Sequence, residues 1–541
     1  MLRSFLNYEP QELRFGTSGR RGLVIDLTQL EIYINVVAEL GYLQSLPTSQ
    51  GGIAAGQEVF FAYDLRPSST SFVPDQQGRG ELTQAVVQAI TDARMIPVNL
   101  GPLPTPALSC YALSRCRASI MVTGSHIPFD RNGYKTNTSQ GELLKEHEAP
   151  IAEAVAKVRE RIYTEPFGKS LFTARGELKR GHSPLPQEHS EGRSAYVDRY
   201  TGFFADSTLR GKRIVLYEHS AVGRDILREI LQWFDAEVIP AARSSSFVPI
   251  DTENIDAAQL DLIQRLTTEA AAAHGPIDAV LSVDGDSDRP LLLGVCPSTG
   301  QVHFFGGDLV GMIVASYLNA DSVVVPISCN DAIDRGNLAG VLEPKTRIGS
   351  PYVIAGMQSA SAKGRRAICG WEANGGFLLG CDLERKGRTL KALPTRDAVL
   401  PILCTLFAAQ EKAVPLTELF AALPKRFSRA ALIRDFPRPV SAKLIQSFSS
   451  SDPAQDAEIR KKLSKFFPAS SGFGCIANVN YLDGVRITFD NGEVVHIRSS
   501  GNADELRVYA VADSQARANF IVDLAVQEPG GILRAMEKSV L

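Results

Sequence analysis

Short apolar runs alternate with segments of helical period along most of the chain, and turn-forming residues follow the runs. Val59 to Tyr63 reads as a buried strand ending in Asp64-Leu65-Arg66-Pro67-Ser68-Ser69. Leu82, Ala85, Val86, Ala89 and Ile90 then share one face of a helix. A short strand around Val98 leads into Gly101-Pro102-Leu103-Pro104-Thr105-Pro106, and after a further helix comes the apolar run Ala118 to Val122. This is βα alternation, with chemically interesting residues at the carboxyl ends of strands, where open α/β sheets bind ligands.

The pattern recurs. A second block begins near Tyr196, with a strand at Arg213 to Tyr217, a helix at Arg224 to Phe234, a strand at Ala236 to Ile239 and the run Ala279 to Val283. A third begins near Gly306, with a helix at Leu309 to Leu318 and a strand at Ser322 to Pro326. After an apolar and basic stretch near 420 to 470, the character changes to antiparallel. Asp483-Gly484 and Asn491-Gly492 are hairpin signals between alternating runs. Strands at Val494 to Arg498 and Leu506 to Ala510 follow, and a helix at Gln515 to Ala525 is expected to close the chain. Residues 160 to 195, polar and rich in Gly, Pro and His, read as an insertion or linker with little core of its own. The expected fold class is α/β, with three α/β domains over 1–190, 191–303 and 304–420 and an α+β domain over 421–541.

With 541 residues the chain is too long for one core. A net charge of −3 and a pI near 6.3 give no basic footprint, so no nucleic-acid partner is expected. No apolar run reaches the roughly 18 residues that suggest a membrane span, so no membrane partner is expected either. The start, Met1 to Asn7, lacks the apolar core of a signal peptide. Eight scattered cysteines without paired CxxC spacing read as reduced thiols. The expected location is cytoplasmic.

Two loops carry most of the candidate chemistry. Ser125, in Met121-Val122-Thr123-Gly124-Ser125-His126-Ile127-Pro128, is expected on an exposed bend, with His126 and Lys135 close in sequence. Such a serine can be a nucleophile or a phosphate carrier; it can also be a solvated loop residue. Far downstream stands Asp284-Gly285-Asp286-Ser287-Asp288-Arg289. In an extended loop alternate residues point the same way, so the three carboxylates, with Asp286 expected to be exposed, can converge on one cation. All-oxygen ligands favour Mg2+ over zinc. A helix-capping turn is the plainer alternative. Arg289 suits a phosphate or carboxylate.

Three weaker loops add to these. Arg498-Ser499-Ser500-Gly501-Asn502 offers a guanidinium fork, hydroxyls, an amide and backbone N–H groups to a phosphate, although it is also ordinary turn composition. Glu372-Ala373-Asn374-Gly375-Gly376 sets a carboxylate beside an amide, which can bracket vicinal sugar hydroxyls. Arg21, in Phe15-Gly16-Thr17-Ser18-Gly19-Arg20-Arg21-Gly22, is a phosphate-compatible cation in a glycine-rich bend.

Together these loops resemble the α-D-phosphohexomutase superfamily, the phosphomannomutases and phosphoglucomutases, in the right order and over nearly the whole chain. The Phe15 to Gly22 segment is similar to the family's first loop and Asp64 to Ser69 to its next turn. Thr123 to Pro128 is similar to the phosphoserine loop, Asp284 to Arg289 to the metal loop, Glu372 to Gly376 to the sugar loop and Arg498 to Ala503 to the phosphate-binding loop. The resemblance implies four domains around a central cleft. It implies that Ser125 carries a transferable phosphoryl group and binds Mg2+ with Asp284, Asp286 and Asp288. Lys135 and His126 would take acid–base and orienting roles. Glu372 and Asn374 would read sugar hydroxyls, and Arg498, Ser500, Gly501 and Asn502 would hold the phosphate that is not reacting. Arg21 and Arg289 would add charge around the transfer site.

The implied activity interconverts hexose 6-phosphate and hexose 1-phosphate through a hexose 1,6-bisphosphate, with a small sugar phosphate as partner. Phosphomannomutase is the first expectation; phosphoglucomutase and phospho-N-acetylglucosamine mutase are alternatives. Outside the mutases stand a phosphatase or nucleotide hydrolase and a catalytically silent sugar-phosphate binding protein. The chain departs from the family pattern at Ile127, where asparagine is usual, and at Ser287, where glycine is common. Asn374 stands for a serine of many bacterial members, and Gly376 for a common histidine.

Overall fold

Three sheets repeat one device: a buried strand, parallel to its neighbour, ends in a loop and returns antiparallel. The computed structural model describes residues 1–253, 255–450, 452–499 and 504–541. In the first sheet, Ser119–Val122 lies parallel to Glu58–Tyr63 and antiparallel to Arg131–Thr138. The sheet is completed by Ile96–Pro102 on one side and Arg20–Leu23 on the other, with Gly141–Glu142 pairing on Arg131–Thr138. In the second, Ala279–Val283 lies parallel to Arg213–His219 and antiparallel to Pro290–Val295. In the third, Ile368–Trp371 lies parallel to Ser322–Val324 and antiparallel to Phe377–Leu379. The connecting loops are the serine loop, the aspartate loop and the Glu372 loop. A strand buried on both faces reads as a continuous apolar run, which is why these segments stood out in the sequence.

The last sheet is wholly antiparallel, in the order Phe427–Arg434, Glu505–Ala512, Val494–Ser499, Val485–Phe489, Ile476–Asn480. Gly484 and Gly492 adopt the positive φ that the two hairpin signals require.

Side-chain alternation joins the blocks. Along Glu58–Tyr63, Val59 and Phe61 enter a core with helices Gln29–Ser45 and Leu82–Asp92. Phe60 and Ala62 point to the other face, into a core that runs on through Tyr196, Leu231, Trp371 and Phe407. One strand therefore feeds two cores because its side chains alternate. Within the second core, Tyr196 and Tyr200 of helix Glu191–Phe203 both donate to the carboxylate of Asp397, the former at 2.5 Å. Buried tyrosines need such partners, and these two tie the second block to the third.

The structure adds to three expectations. The 160–195 segment, read as having little core of its own, is anchored in the first core, where Phe172 and Leu178 are buried and Phe172 meets Tyr33 edge-on. Polar composition hid two apolar anchors spaced too far apart to show a period. Helix Gln515–Val526 does not close the chain, because helix Ile532–Val540 follows and buries Leu533 and Met536. The stretch near 420 to 470 contains an edge strand, Phe427–Arg434, of the last sheet. All eight cysteines are free thiols. Among the described residues, no helix is long and apolar enough to cross a membrane.

Phe172→Ala tests the first of these. Emptying a buried ring site costs about 3–5 kcal/mol, so its denaturation midpoint is expected to fall clearly below that of the parent. An unchanged midpoint would mean the segment is a loose linker after all.

Candidate active site

Ser125 is held in a conformation it would not choose. Its φ is 53°, in the left-handed region that disfavours residues with a Cβ. Arg66 holds the loop there. Its Nη2 donates to Ser125 O at 2.9 Å and to Ile127 O, and its Nη1 donates to Pro128 O at 2.7 Å and Arg131 O at 2.8 Å. Asp64 pins the near side, accepting from Thr123 Oγ1 at 2.8 Å, and lies 3.4 Å from Arg66 Nε. Gly124 has no room for a side chain, since a Cβ would lie 2.5 Å from Arg66 Nε. The ring of Phe247 stacks on the same guanidinium, with 3.9 Å from Cζ to the ring centroid.

The hydroxyl this loop presents is buried, not on the exposed bend expected from sequence. Ser125 is 0% exposed and its Oγ donates to Asp284 Oδ2 at 2.7 Å. The loop faces another block rather than solvent, which no local pattern could reveal.

Asp284, Asp286 and Asp288 each offer an oxygen, all within 4.8 Å of one another. They too are buried, which corrects the reading of Asp286 as an exposed carboxylate. Nor is the loop extended: Ser287 N donates to Asp284 O at 3.0 Å and Ser287 has a φ of 58°. A turn, not strand alternation, gathers the carboxylates. Ser287 tolerates this glycine-like conformation while its Oγ accepts from Gly223 N at 2.9 Å.

The three carboxylates differ in proton affinity. Burial and the charges of Asp286 and Asp288 push Asp284 well above the usual carboxylate range. Burial works to raise Asp286 as well, but the Lys135 ammonium at 2.8 Å and Thr105 Oγ1 at 2.6 Å hold it below. Asp288 is likewise lowered against the effect of burial, by Arg396, with Nε at 3.0 Å, and by Lys135, with Nζ at 2.9 Å. Oδ1 of both Asp286 and Asp288 is buried without a hydrogen-bond partner. Asp288 Oδ1 has only the Arg289 cation, 3.5 Å away, and with Asp286 Oδ1 and the third carboxylate it forms an all-oxygen donor set that fits a hard divalent cation.

Arginines surround this cluster. Arg289 Nη1 lies 2.9 Å from His126 Nδ1. Arginine has no acceptor, so Nδ1 accepts, and the proton of a neutral imidazole is on Nε2. Burial, Arg289, Arg21 and Arg507 all push His126 well below its usual pKa, in keeping with a neutral ring. Arg21 is lowered to about 10 by burial and by the nearby Arg289 and Arg396 cations, against the pull of Asp286. Arg396 Nη1 donates to Glu372 Oε2 at 2.9 Å. Asn374 Oδ1 is taken up by Gly376 N at 3.0 Å, so Nδ2 is what it can offer a ligand.

Arg498 borders a cleft of about 420 Å³ lined also by Lys145, Arg347, Tyr352, Tyr481 and Asp483. Its strand partner in register is Arg507. Like charges directly opposite one another across a strand pair are unfavourable unless something compensates them. The Nε of each is buried without a hydrogen-bond partner. Ser500, Gly501 and Asn502 lie outside the described residues.

Ser125, His126, Lys135, the three aspartates, Arg21, Arg289 and Glu372 are thus joined by contact or by electrostatic reach. Sequence reasoning missed Arg396, Arg507, Thr105 and Glu253. Burial, the charge of Asp251 and that of Glu372 raise Glu253 to about 7, against the pull of Arg507 and Arg289. Thr105 and Arg66 stood in loops already marked as strand ends; Arg396 had no local signal.

Charge gathered at strand ends on such a scaffold is the arrangement of a multi-domain α/β enzyme. Residues 12–162, 306–427 and 449–527 match models of the phosphoglucomutase/phosphomannomutase family: α/β/α domain I, α/β/α domain III and the C-terminal domain. A phosphomannomutase of Sinorhizobium fredii is 37% identical over 94% of this chain and 97% of its own length. One of Salmonella muenchen is also 37% identical, over 94% of each. The crystal structure of a phosphoglucomutase/phosphomannomutase family protein from Burkholderia thailandensis superposes with a TM-score of 0.65 at 18% identity, covering 98% of both chains. The chain belongs to the phosphoglucomutase/phosphomannomutase family, a family of mutase enzymes.

Two outcomes follow from the geometry. Gly124→Ala is expected to displace Ser125 and cut turnover about a hundred-fold while circular dichroism stays native; near-parental turnover would contradict the tight fit at Arg66. Mg2+ is expected to expel a proton from Asp284, so its affinity rises with pH. Calorimetric titrations in two buffers of different ionisation enthalpy would report that proton, and equal heats would refute it.

Proposed function

We propose that the protein is a phosphohexomutase of the phosphomannomutase type, interconverting hexose 6-phosphate and hexose 1-phosphate through a phosphorylated Ser125. The observation that carries this reading is the Ser125 hydroxyl set 2.7 Å from Asp284 within the aspartate cluster. The 37% identity to two phosphomannomutases over nearly the whole chain favours mannose phosphates among the hexoses.

In the first half-reaction the Oγ–P bond at Ser125 breaks and a P–O bond forms to the sugar hydroxyl, whose proton leaves to a base. The product is a hexose 1,6-bisphosphate. It reorients, and its other phosphoryl group returns to the serine oxygen, so enzyme and phosphate count are restored. Phosphoryl transfer depends mainly on positioning and charge stabilisation. Asp284, Asp286 and Asp288 would hold Mg2+ with the Ser125 phosphate, and the cation would offset charge on the group in flight.

The chain's own residues do the rest. Lys135, which bridges Asp286 and Asp288, would take an acid–base or orienting role near the transferring group. His126, neutral and held through Nδ1, orients from Nε2. Arg21 and Arg289 attract the phosphoryl oxygens. Arg498, 3.5 Å from Asp483, and Arg507, 3.3 Å from Glu505, face each other across their strands and would share the non-reacting phosphate. Ser500, Gly501 and Asn502 would complete that clamp. This remote phosphate supplies binding energy that aligns the hydroxyl. Glu372 Oε1 and Asn374 Nδ2 read the sugar hydroxyls.

The test is turnover of mannose 1-phosphate, glucose 1-phosphate and N-acetylglucosamine 1-phosphate with a catalytic amount of bisphosphate, for the parent and Ser125→Ala. The parent is expected to favour mannose and glucose phosphates. Its intact mass should show a partial phosphate addition that Ser125→Ala lacks, and turnover should fall by several orders of magnitude. Turnover of N-acetylglucosamine 1-phosphate alone would overturn the substrate. Near-normal turnover by Ser125→Ala would overturn the mechanism.

A further inference from the structure

Arg396 is the one side chain that touches both the aspartate loop and the Glu372 loop among the hydrogen bonds described above. It lies in strand Leu393–Asp397 and is 3% exposed. Its Nε donates to Asp288 Oδ2 at 3.0 Å, and its Nη1 donates to Glu372 Oε2 at 2.9 Å. The side chain can take this path because residue 376 is glycine: a Cβ there would lie 2.4 Å from Arg396 Cδ. A second layer braces it. Ser350 Oγ accepts from Nη1 at 3.4 Å and donates to Glu142 Oε2 at 2.6 Å, while Thr395 donates to Glu142 Oε1 at 2.6 Å.

This arrangement divides the labour of two carboxylates. Asp288 Oδ2 is shared by Lys135 and Arg396, which leaves Oδ1, without a hydrogen-bond partner and 3.5 Å from Arg289 Nε, as the oxygen to offer a cation. Glu372 Oε2 is engaged by Arg396, which leaves Oε1 for a hydroxyl. A planar guanidinium with donors in a fixed fork sets the orientation of both groups at once, which an ammonium cannot do. Because one guanidinium is hydrogen-bonded to both carboxylates, a ligand that polarises or moves either one is felt by the other through it.

We propose that Arg396 is a positioning residue that couples cation occupancy at the aspartate cluster to hydroxyl recognition at Glu372. The hydroxyl half rests on the mutase reading; the cation half does not. Coupling is reciprocal, so each ligand is expected to tighten the other.

The experiment measures Mn2+ binding by its electron spin resonance signal, with and without saturating mannose 6-phosphate. It is run in the Ser125→Ala background, where no phosphoryl group transfers. Mannose 6-phosphate is expected to tighten Mn2+ about ten-fold. With Arg396→Gln added, the factor is expected to drop to about one. Mn2+ affinity without sugar should be unchanged or tighter, because a cation beside the cluster has been removed. Arg396→Lys keeps the charge but reaches one carboxylate, so coupling stays near one. Ser350→Ala, which removes only the brace, lowers the factor partway. In enzymes that retain Ser125, Arg396→Gln should lower kcat as well as raise KM, since Glu372 loses its orientation and sugar and cation no longer support each other. Coupling that survives Arg396→Gln, full rescue by Arg396→Lys, or weaker Mn2+ binding in the absence of sugar would each overturn the proposal. A parent enzyme that turns over no hexose phosphate would instead overturn the mutase reading, and the sugar-free Mn2+ comparison would still report on the cation half.

Discussion

Three aspartates share a site that water barely reaches, and the rest of the centre answers that constraint. Charges taken out of water are costly unless paired and hydrogen-bonded. Lys135 comes from a strand of the first sheet, Arg289 from the loop itself and Arg396 from the third sheet. Each supplies a cation to the same cluster. What these cations leave open is as informative as what they pair: Oδ1 of Asp286 has no hydrogen-bond partner, and Oδ1 of Asp288 has only the Arg289 cation 3.5 Å away. Such oxygens could hold a cation. The blocks are consequently held together by charge at the centre as well as by the apolar core behind it.

The recurring strand–loop–return unit explains how separate blocks deliver groups to one point. A loop between a parallel strand and its antiparallel return is short and tethered at both ends by ladder hydrogen bonds, so its side chains are aimed by the sheet. The serine loop needs more than this, because Ser125 sits in a sparsely populated backbone region. Arg66 supplies the extra restraint by collecting four backbone carbonyls on one guanidinium. Strain at Ser125 is therefore sustained by an arginine that is itself fully buried and stacked on Phe247. The last sheet contributes differently. It places two arginines opposite each other across a strand pair, with Asp483 beside Arg498 and Glu505 beside Arg507.

Protonation states follow from the same economy of charge. His126 is surrounded by arginines, so the neutral imidazole is favoured and the hydrogen bond from Arg289 selects its tautomer. Asp284 is the carboxylate with the least cationic support and the raised proton affinity, and it is also the one that touches the serine hydroxyl.

The sequence alone determined the α/β and antiparallel blocks, most strand and hairpin positions, and the loops of the chemistry. Each of these is written in a local period or in turn residues: the run Ala279 to Val283, the glycines at 484 and 492, the small residues around Ser125. It could not determine exposure. Ser125 and Asp286 look like surface residues because their loops are polar, yet they are buried by other blocks. The buried anchor Phe172 was missed for the same reason: burial depends on what lies across the chain in space. Only tertiary structure brought in Arg396 and set Arg507 opposite Arg498, because those contacts join residues of separate strands. A charge acquires its role here from the counter-charges around it, and those are chosen by packing between sheets.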